Sequence, residues 1–195
     1  FIEKTATKKV IGLGHSFGGT ITLKAAAKRP DLFEQIILMD PVLMVGFLPS
    51  RITGLLKKFG KIGAITPADK TESRRRTWAS REEAVSYFKN KALFKYFTEE
   101  SLNLYVDHGL TEKGGTFHLQ FDVPTEVKIY KSIPTDVDQL AKIRLQLPGC
   151  IIRGSKTNVA YRPFVNRVAR QHKMNVTTIN GSHMFPFEVP DETAN

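Results

Sequence analysis

Cysteine is almost missing from this chain. Cys150 is the single one among 195 residues, so an internal disulfide is excluded and the redox compartment is not encoded. Its neighbours Ile151 and Ile152 mark it as a small buried hydrophobe rather than a reactive thiol. No apolar run is long enough to cross a bilayer, and no leader pattern stands at Phe1. CxxC pairs and histidines at metal-ligand spacing are both lacking, so neither a metal nor another cofactor is expected. Internal repeats and low-complexity segments are absent too. The two Asn-x-Ser/Thr sequons, at Asn175 and Asn180, read as coincidence. The default compartment is the cytoplasm, and the oligomeric state is not encoded.

Acidic residues are also scarce. Nineteen Asp and Glu face 29 Lys and Arg, a net charge of +10. The imbalance is local: from Arg51 to Lys95 twelve basic residues meet four acidic ones, densest at Arg74-Arg75-Arg76. The plain reading is a solvated helical face. The sharper readings are attraction of an anionic substrate, a membrane surface or nucleic acid. No recognised binding motif accompanies the charge, which leaves nucleic acid as the least supported and no such partner expected.

What is present is a run of short apolar segments. Residues 10–13 (VIGL), 35–39 (QIILM) and 150–153 (CIIR) lack alternation, and 176–179 (VTTI) is β-branched. Such runs fit parallel strands covered by helices on both faces. Residues 20–28 supply a helix between the first two, stopped by Arg29-Pro30. Residues 162–172 supply another between the last two, with Pro163 in its first turn and Phe164, Val165, Val168 and Ala169 as its apolar stripe. Repeated strand–helix–strand units imply an α/β fold with a mostly parallel sheet flanked by helices.

Residues 46–145 read differently, as a helical cap or lid inserted into a core formed by residues 1–45 and 146–195. Ser80-Arg81-Glu82-Glu83 is a capping box ahead of an apolar run. Thr98-Glu99-Glu100 opens a second helix that should stop near Gly109, and residues 135–143 look like a third. Twelve of the nineteen aromatic residues fall within 47–130. Some must form the insertion's own small core, and the rest would line an apolar pocket.

Chemistry concentrates in Gly14-His15-Ser16-Phe17-Gly18-Gly19. The stretch joins the first apolar run to the first helix, and a strand, a sharp turn with Ser at its tip and a helix form a nucleophile elbow. Gly-x-Ser-x-Gly alone occurs by chance in many proteins; the strand–turn–helix setting gives it weight. Gly14 and Gly18 are expected to remove Cβ atoms that would clash at the turn. The helix N-terminus favours negative charge developing beside Ser16. A Ser nucleophile needs a base, and His183, in a loop just past the last strand, has the best setting, because the carboxyl ends of a parallel sheet gather such sites. His15 is expected to point away from the nucleophile and pack structurally. His108, His118 and His172 read as solvent-facing.

With GHSFGG, the Pro-x-x-Phe-x-x-Ile-Ile-Leu-x-Asp-Pro segment ending at Pro41, Arg153-Gly154 and Gly-Ser-His-Met-Phe-Pro from Gly181, the chain resembles the α/β-hydrolase fold family. The likeness is to its branch with a helical cap, and four separated motifs in order carry it. The resemblance implies that the Phe17 backbone N–H forms half of an oxyanion hole. It also implies several further strands ahead of the nucleophile strand, including the loop that gives the second oxyanion donor. Their lack suggests a fragment of a longer protein, inactive or poorly folded alone, since losing one such donor costs roughly a hundredfold or more in rate. The position the family usually gives its acid holds Asn158. A neutral amide orients an imidazole without balancing its charge. Asp40, after the second strand, is the alternative acid, as in some branches, and Asp136 or Glu188 are others. The implied activity is that of a serine hydrolase on carboxylic esters or thioesters carrying an acyl or aromatic group, with an anionic substrate such as an acyl-CoA thioester if the basic insertion faces the pocket. C–C bond cleavage or elimination on the same triad, or a non-catalytic ligand-binding scaffold, are the other readings.

Overall fold

The computed structural model describes residues 1–43, 47–134 and 144–195, with the backbone alone over 47–50. The helix expected over 135–143 lies outside the described residues. The chain divides into two compact units: Phe1–Ile52 with Thr135–Phe185, and Thr53–Pro134 with Pro186–Asn195.

In the first unit, the apolar runs become β1 (Val10–His15), β2 (Phe33–Met39), β6 (Gly149–Gly154) and β7 (Asn175–Ile179). They form one parallel sheet in the order β1-β2-β6-β7. The fold class is α/β, a parallel sheet flanked by helices. Helix α1 (Phe17–Lys28) joins β1 to β2, and α5 (Arg162–His172) joins β6 to β7. Parallel neighbours need such crossovers, and the helices bury the sheet they cross. Leu23 and Ala26 of α1 and Val165, Val168 and Ala169 of α5 share one core with Ile36, Leu38 and Ile151. Register pairs His15 with Met39, Met39 with Ile152, and Gly154 with Ile179, so the carboxyl ends of the strands come level.

Two expectations need correction here. Burial on both faces does not hold for β1, where Ile11 and Leu13 are 54% and 60% exposed. Side chains alternate across a strand, and the face covered by α1 carries Gly12 and Gly14 instead. A Cβ at Gly12 would sit 2.9 Å from the side chains of Phe33 and Thr22, so the glycines let α1 settle closely on the strand. His172 is not solvent-facing but 2% exposed. It falls seven residues after Val165 on the buried stripe of α5, and its Nδ1 accepts the Leu145 N–H at 3.2 Å. Burial pushes its pKa down, and the Cys150 thiol, half-buried in β6, is pushed up for the same reason.

In the second unit, α2 (Arg81–Lys89), α3 (Glu99–Gly109) and α4 (Val123–Lys131) each begin at a side-chain cap. Ser80 Oγ accepts the Glu83 N–H at 3.1 Å, Thr98 Oγ1 that of Ser101 at 3.0 Å, and Asp122 Oδ2 that of Thr125 at 3.0 Å. These satisfy amides that lack intrahelical acceptors. A three-stranded antiparallel sheet accompanies the helices: β3 (Thr77–Trp78), β4 (Leu110–Lys113) and β5 (Thr116–Leu119), in the order β3-β5-β4. Gly114 and Gly115 close the β4–β5 hairpin with φ of 58° and 78°, the positive pair that a type I′ turn demands. The core is an aromatic cluster of Trp78, Phe88 and Phe94 with Tyr87, Phe97 and Tyr105 against it.

Candidate active site

Ser16 lies between the last residue of β1 and the first of α1, with φ 56° and ψ −123°. An L-residue reaches that region only at a cost of about 1–3 kcal/mol. The surroundings impose it. The Ser16 N–H continues the β1–β2 ladder by donating to Met39 O at 2.9 Å, while Ser16 O accepts from Gly19 and Val42 amides at 3.1 and 3.3 Å. The close approach of α1 to β1 depends on Gly14, whose Cβ would meet Gly18 backbone and Thr22 Oγ1 at 2.6 Å, and on Gly19, whose Cβ would meet Gly14 O at 2.9 Å. Gly18 behaves otherwise than expected, for a Cβ there meets nothing within 4 Å among the described residues. The second glycine that the elbow needs is Gly19.

The Ser16 hydroxyl does not cap its own helix. It stands 2.8 Å from His183 Nε2, and His183 Nδ1 stands 2.6 Å from Asp40 Oδ2. A carboxylate only accepts, so Nδ1 carries the proton and Nε2 is left to accept from Ser16. Asp40 is fully buried and follows β2 with φ 42°. Its own N–H donates to Ile152 O at 2.7 Å. Oδ1 accepts the Gly154 N–H at 3.0 Å, and Oδ2 also accepts the Thr157 hydroxyl at 2.5 Å. Such donors repay the cost of placing a carboxylate out of water.

The loop bearing His183 is fastened to the end of β6. Ser155 N–H donates to Ile179 O at 2.8 Å and Lys156 N–H to Gly181 O at 2.9 Å. A Cβ on Gly154 would lie 2.6 Å from Gly181 O, so the loop sits where only glycine leaves room. His15 does pack structurally, yet on this loop: its Nε2 bonds His183 O at 2.7 Å and the two rings lie 4.8 Å apart. Burial is the main cause that pushes its pKa down, which keeps it neutral beside His183.

Ser16, His183 and Asp40 are thus brought together. Asn158 is not: it is exposed, and among the described residues it makes no hydrogen bond to His183. Asp136 lies outside the described residues, and Glu188 belongs to the second unit. Phe17 opens α1, where its N–H has no intrahelical acceptor. Gly154 was read only as part of the Arg153-Gly154 motif, not as a partner of Asp40, and Thr157 was not singled out from the sequence. A glycine at a strand end and a threonine in a loop carry no signature until the fold sets them beside Asp40. Among the described residues, no group of His, Cys, Asp or Glu could hold a metal ion, and no helix is long and apolar enough to cross a membrane.

The chain is similar to several known proteins. A serine hydrolase-like protein of Danio rerio is 24% identical over 153 residues, 75% of this chain and 44% of that protein. A type I acyl-CoA thioesterase of Penicillium brevicompactum is 31% identical over 101 residues, 52% of this chain and 21% of that enzyme. The chain therefore spans less than half the length of these curated relatives. Among solved structures, E-2-(acetamidomethylene)succinate hydrolase superposes with a TM-score of 0.75 at 16% identity, over 98% of this chain and 66% of that one; this likeness speaks to the fold alone. A model described as the alpha/beta hydrolase family matches residues 1–195. The chain belongs to the alpha/beta hydrolase family.

Proposed function

We propose that this chain carries the catalytic triad of a serine hydrolase acting on carboxylic esters or thioesters. The observation that carries the reading is the unbroken relay from Ser16 Oγ through His183 to the buried Asp40 carboxylate, at 2.8 and 2.6 Å. Ser16 attacks the substrate carbonyl while His183 Nε2 takes its proton, and Asp40 balances the imidazolium. The Phe17 N–H, aided by the α1 N-terminus, receives the developing oxyanion. His183 then hands the proton to the leaving alcohol or thiol. Water activated by the same imidazole releases the acid from the acyl-enzyme.

The substrate class rests on less. The second unit, read as the cap, holds a hollow of about 450 Å³ lined by Leu104, Tyr105, Phe121 and Phe187 among others. Such a hollow suits an acyl or aromatic group. The basic balance of residues 51–95 and the acyl-CoA thioesterase among the relatives both favour an anionic thioester.

A fluorophosphonate probe on the full-length protein tests the reading. Ser16 should be the labelled residue, found by peptide mass spectrometry, and His183→Ala should abolish labelling. Turnover of a p-nitrophenyl ester should fall by about 10⁶-fold in the same variant. A full-length protein whose Ser16 stays unlabelled is a ligand-binding scaffold instead.

A further inference from the structure

Asp40 is held from two sides, and only one is backbone. The Gly154 N–H fixes Oδ1 and is immune to substitution. Oδ2, the oxygen that faces His183, is shared with the Thr157 hydroxyl. That hydroxyl has little freedom of its own. Thr157 Oγ1 accepts the Val159 N–H at 3.1 Å and the Ala160 N–H at 3.4 Å, which uses both of its lone pairs. Its single proton is left to point at Asp40. The turn at 157–160 therefore orients the hydroxyl, and the hydroxyl orients the carboxylate.

We infer that Thr157 is a positioning residue for Asp40, setting the plane of the carboxylate so that Oδ2 meets His183 Nδ1; this rests on reading Ser16, His183 and Asp40 as a triad. Without the hydroxyl, Oδ1 stays tethered to Gly154 while Oδ2 is free to swing about that tether. Asp40 and His15 are the titratable groups that face the His183 ring, and His15 is kept neutral by burial.

The test compares Thr157→Val, which keeps the shape, with Thr157→Ser, which keeps the hydroxyl, in the full-length protein with a p-nitrophenyl ester. Thr157→Val should lower kcat between about tenfold and a hundredfold, the range for losing a hydrogen bond to a charged group, with KM within about twofold. The acid limb of its kcat/KM profile should move to lower pH, because a carboxylate free to swing away from Nδ1 stabilises the imidazolium less. Thr157→Ser should restore both. If the valine variant does not fold, Thr157→Ala takes its place. Wild-type kcat in Thr157→Val, or an equal loss in Thr157→Ser, overturns the proposal while the triad stands. If Ser16→Ala turns over ester as fast as wild type, the triad reading falls and this proposal falls with it.

Discussion

Between the sheet and helices of the first unit the filling is mostly aliphatic: Leu23, Ile36, Leu38, Ile151, Val165 and Val168 pack together with the ring of Phe33. In the second unit a chain of rings runs through the filling, beside Leu102, Val106 and Leu110. Trp78, Phe88, Phe94 and Tyr105 follow one another with centroids 4.7 to 5.1 Å apart, and Phe97 stacks on Phe187 at 4.9 Å and 4°. Aliphatic side chains fill space without directional demands, so in the first unit position is set by hydrogen-bonded strands and the residues at their ends. Rings prefer edge-to-face or offset contacts, so in the second unit position is set by each ring against the next. One unit depends on its backbone ladder and the other on its individual side chains.

Substitutions can break that contrast, and the largest effect belongs in the first unit. Asp40→Asn should cut kcat about 10⁴-fold, because an amide cannot hold the correct tautomer of His183 or balance its charge. Asparagine tolerates the positive φ at this position better than most residues, so the thermal midpoint should move little beside the rate. An Asp40→Asn protein with near wild-type turnover removes Asp40 from the triad. Next in size is Phe88→Ala in the second unit, with an expected loss of about 3–5 kcal/mol. Trp78, 1% exposed and the sole tryptophan, reports on it directly: its emission should shift red, and the unfolding midpoint should drop. Unchanged emission and midpoint would deny that the ring chain holds this unit.

The smallest effect is a pH dependence. Burial lowers the pKa of His172, so the unfolded chain binds this proton more readily than the folded one. Stability should therefore fall as pH drops below about 6.5, with a slope of at most about 1.4 kcal/mol per pH unit from this group. His172→Phe should flatten that slope in thermal unfolding series. A slope untouched by the substitution places the titration elsewhere, and the half-buried His15 is the natural second suspect.

The contrast also governs what could be read from the amino acids. The four strands announce themselves as apolar runs, and α5 spans residues 162–172 as its stripe requires, because helix and strand periods are local properties. Ser16 was legible from small residues around a serine between strand and helix, and His183 from its place after the last strand. The sequence left the proposed acid open, since Asp40, Asn158 and others each lie on a loop that could reach an imidazole. Only the alignment of β2 with β6 puts Asp40 beside His183 and leaves Asn158 in solvent. His172 was misread although the signal existed. It follows Val165, Val168 and Ala169 at helical spacing, and its polarity masked its position. The small antiparallel sheet was missed because β3 is two residues long; Gly114-Gly115 between short β-prone segments was the available clue. The ring-to-ring packing of the second unit depends on contacts far apart in the chain, and no local pattern encodes them.

The ladder of the first unit runs one residue beyond each strand. Ser16 N–H reaches Met39 O, Asp40 N–H reaches Ile152 O, and Ser155 N–H reaches Ile179 O, each within 2.9 Å. The proposed nucleophile, the proposed acid and the loop that fastens the proposed base are in this sense successive columns of one ruled page. A single residue inserted into β2 would advance Asp40 by about 3.3 Å and turn its side chain to the opposite face. Lengthening β1 would do the same to Ser16. Within these strands one aliphatic residue can stand in for another at little cost, whereas insertions and deletions dismantle the site even when every residue of the triad is kept.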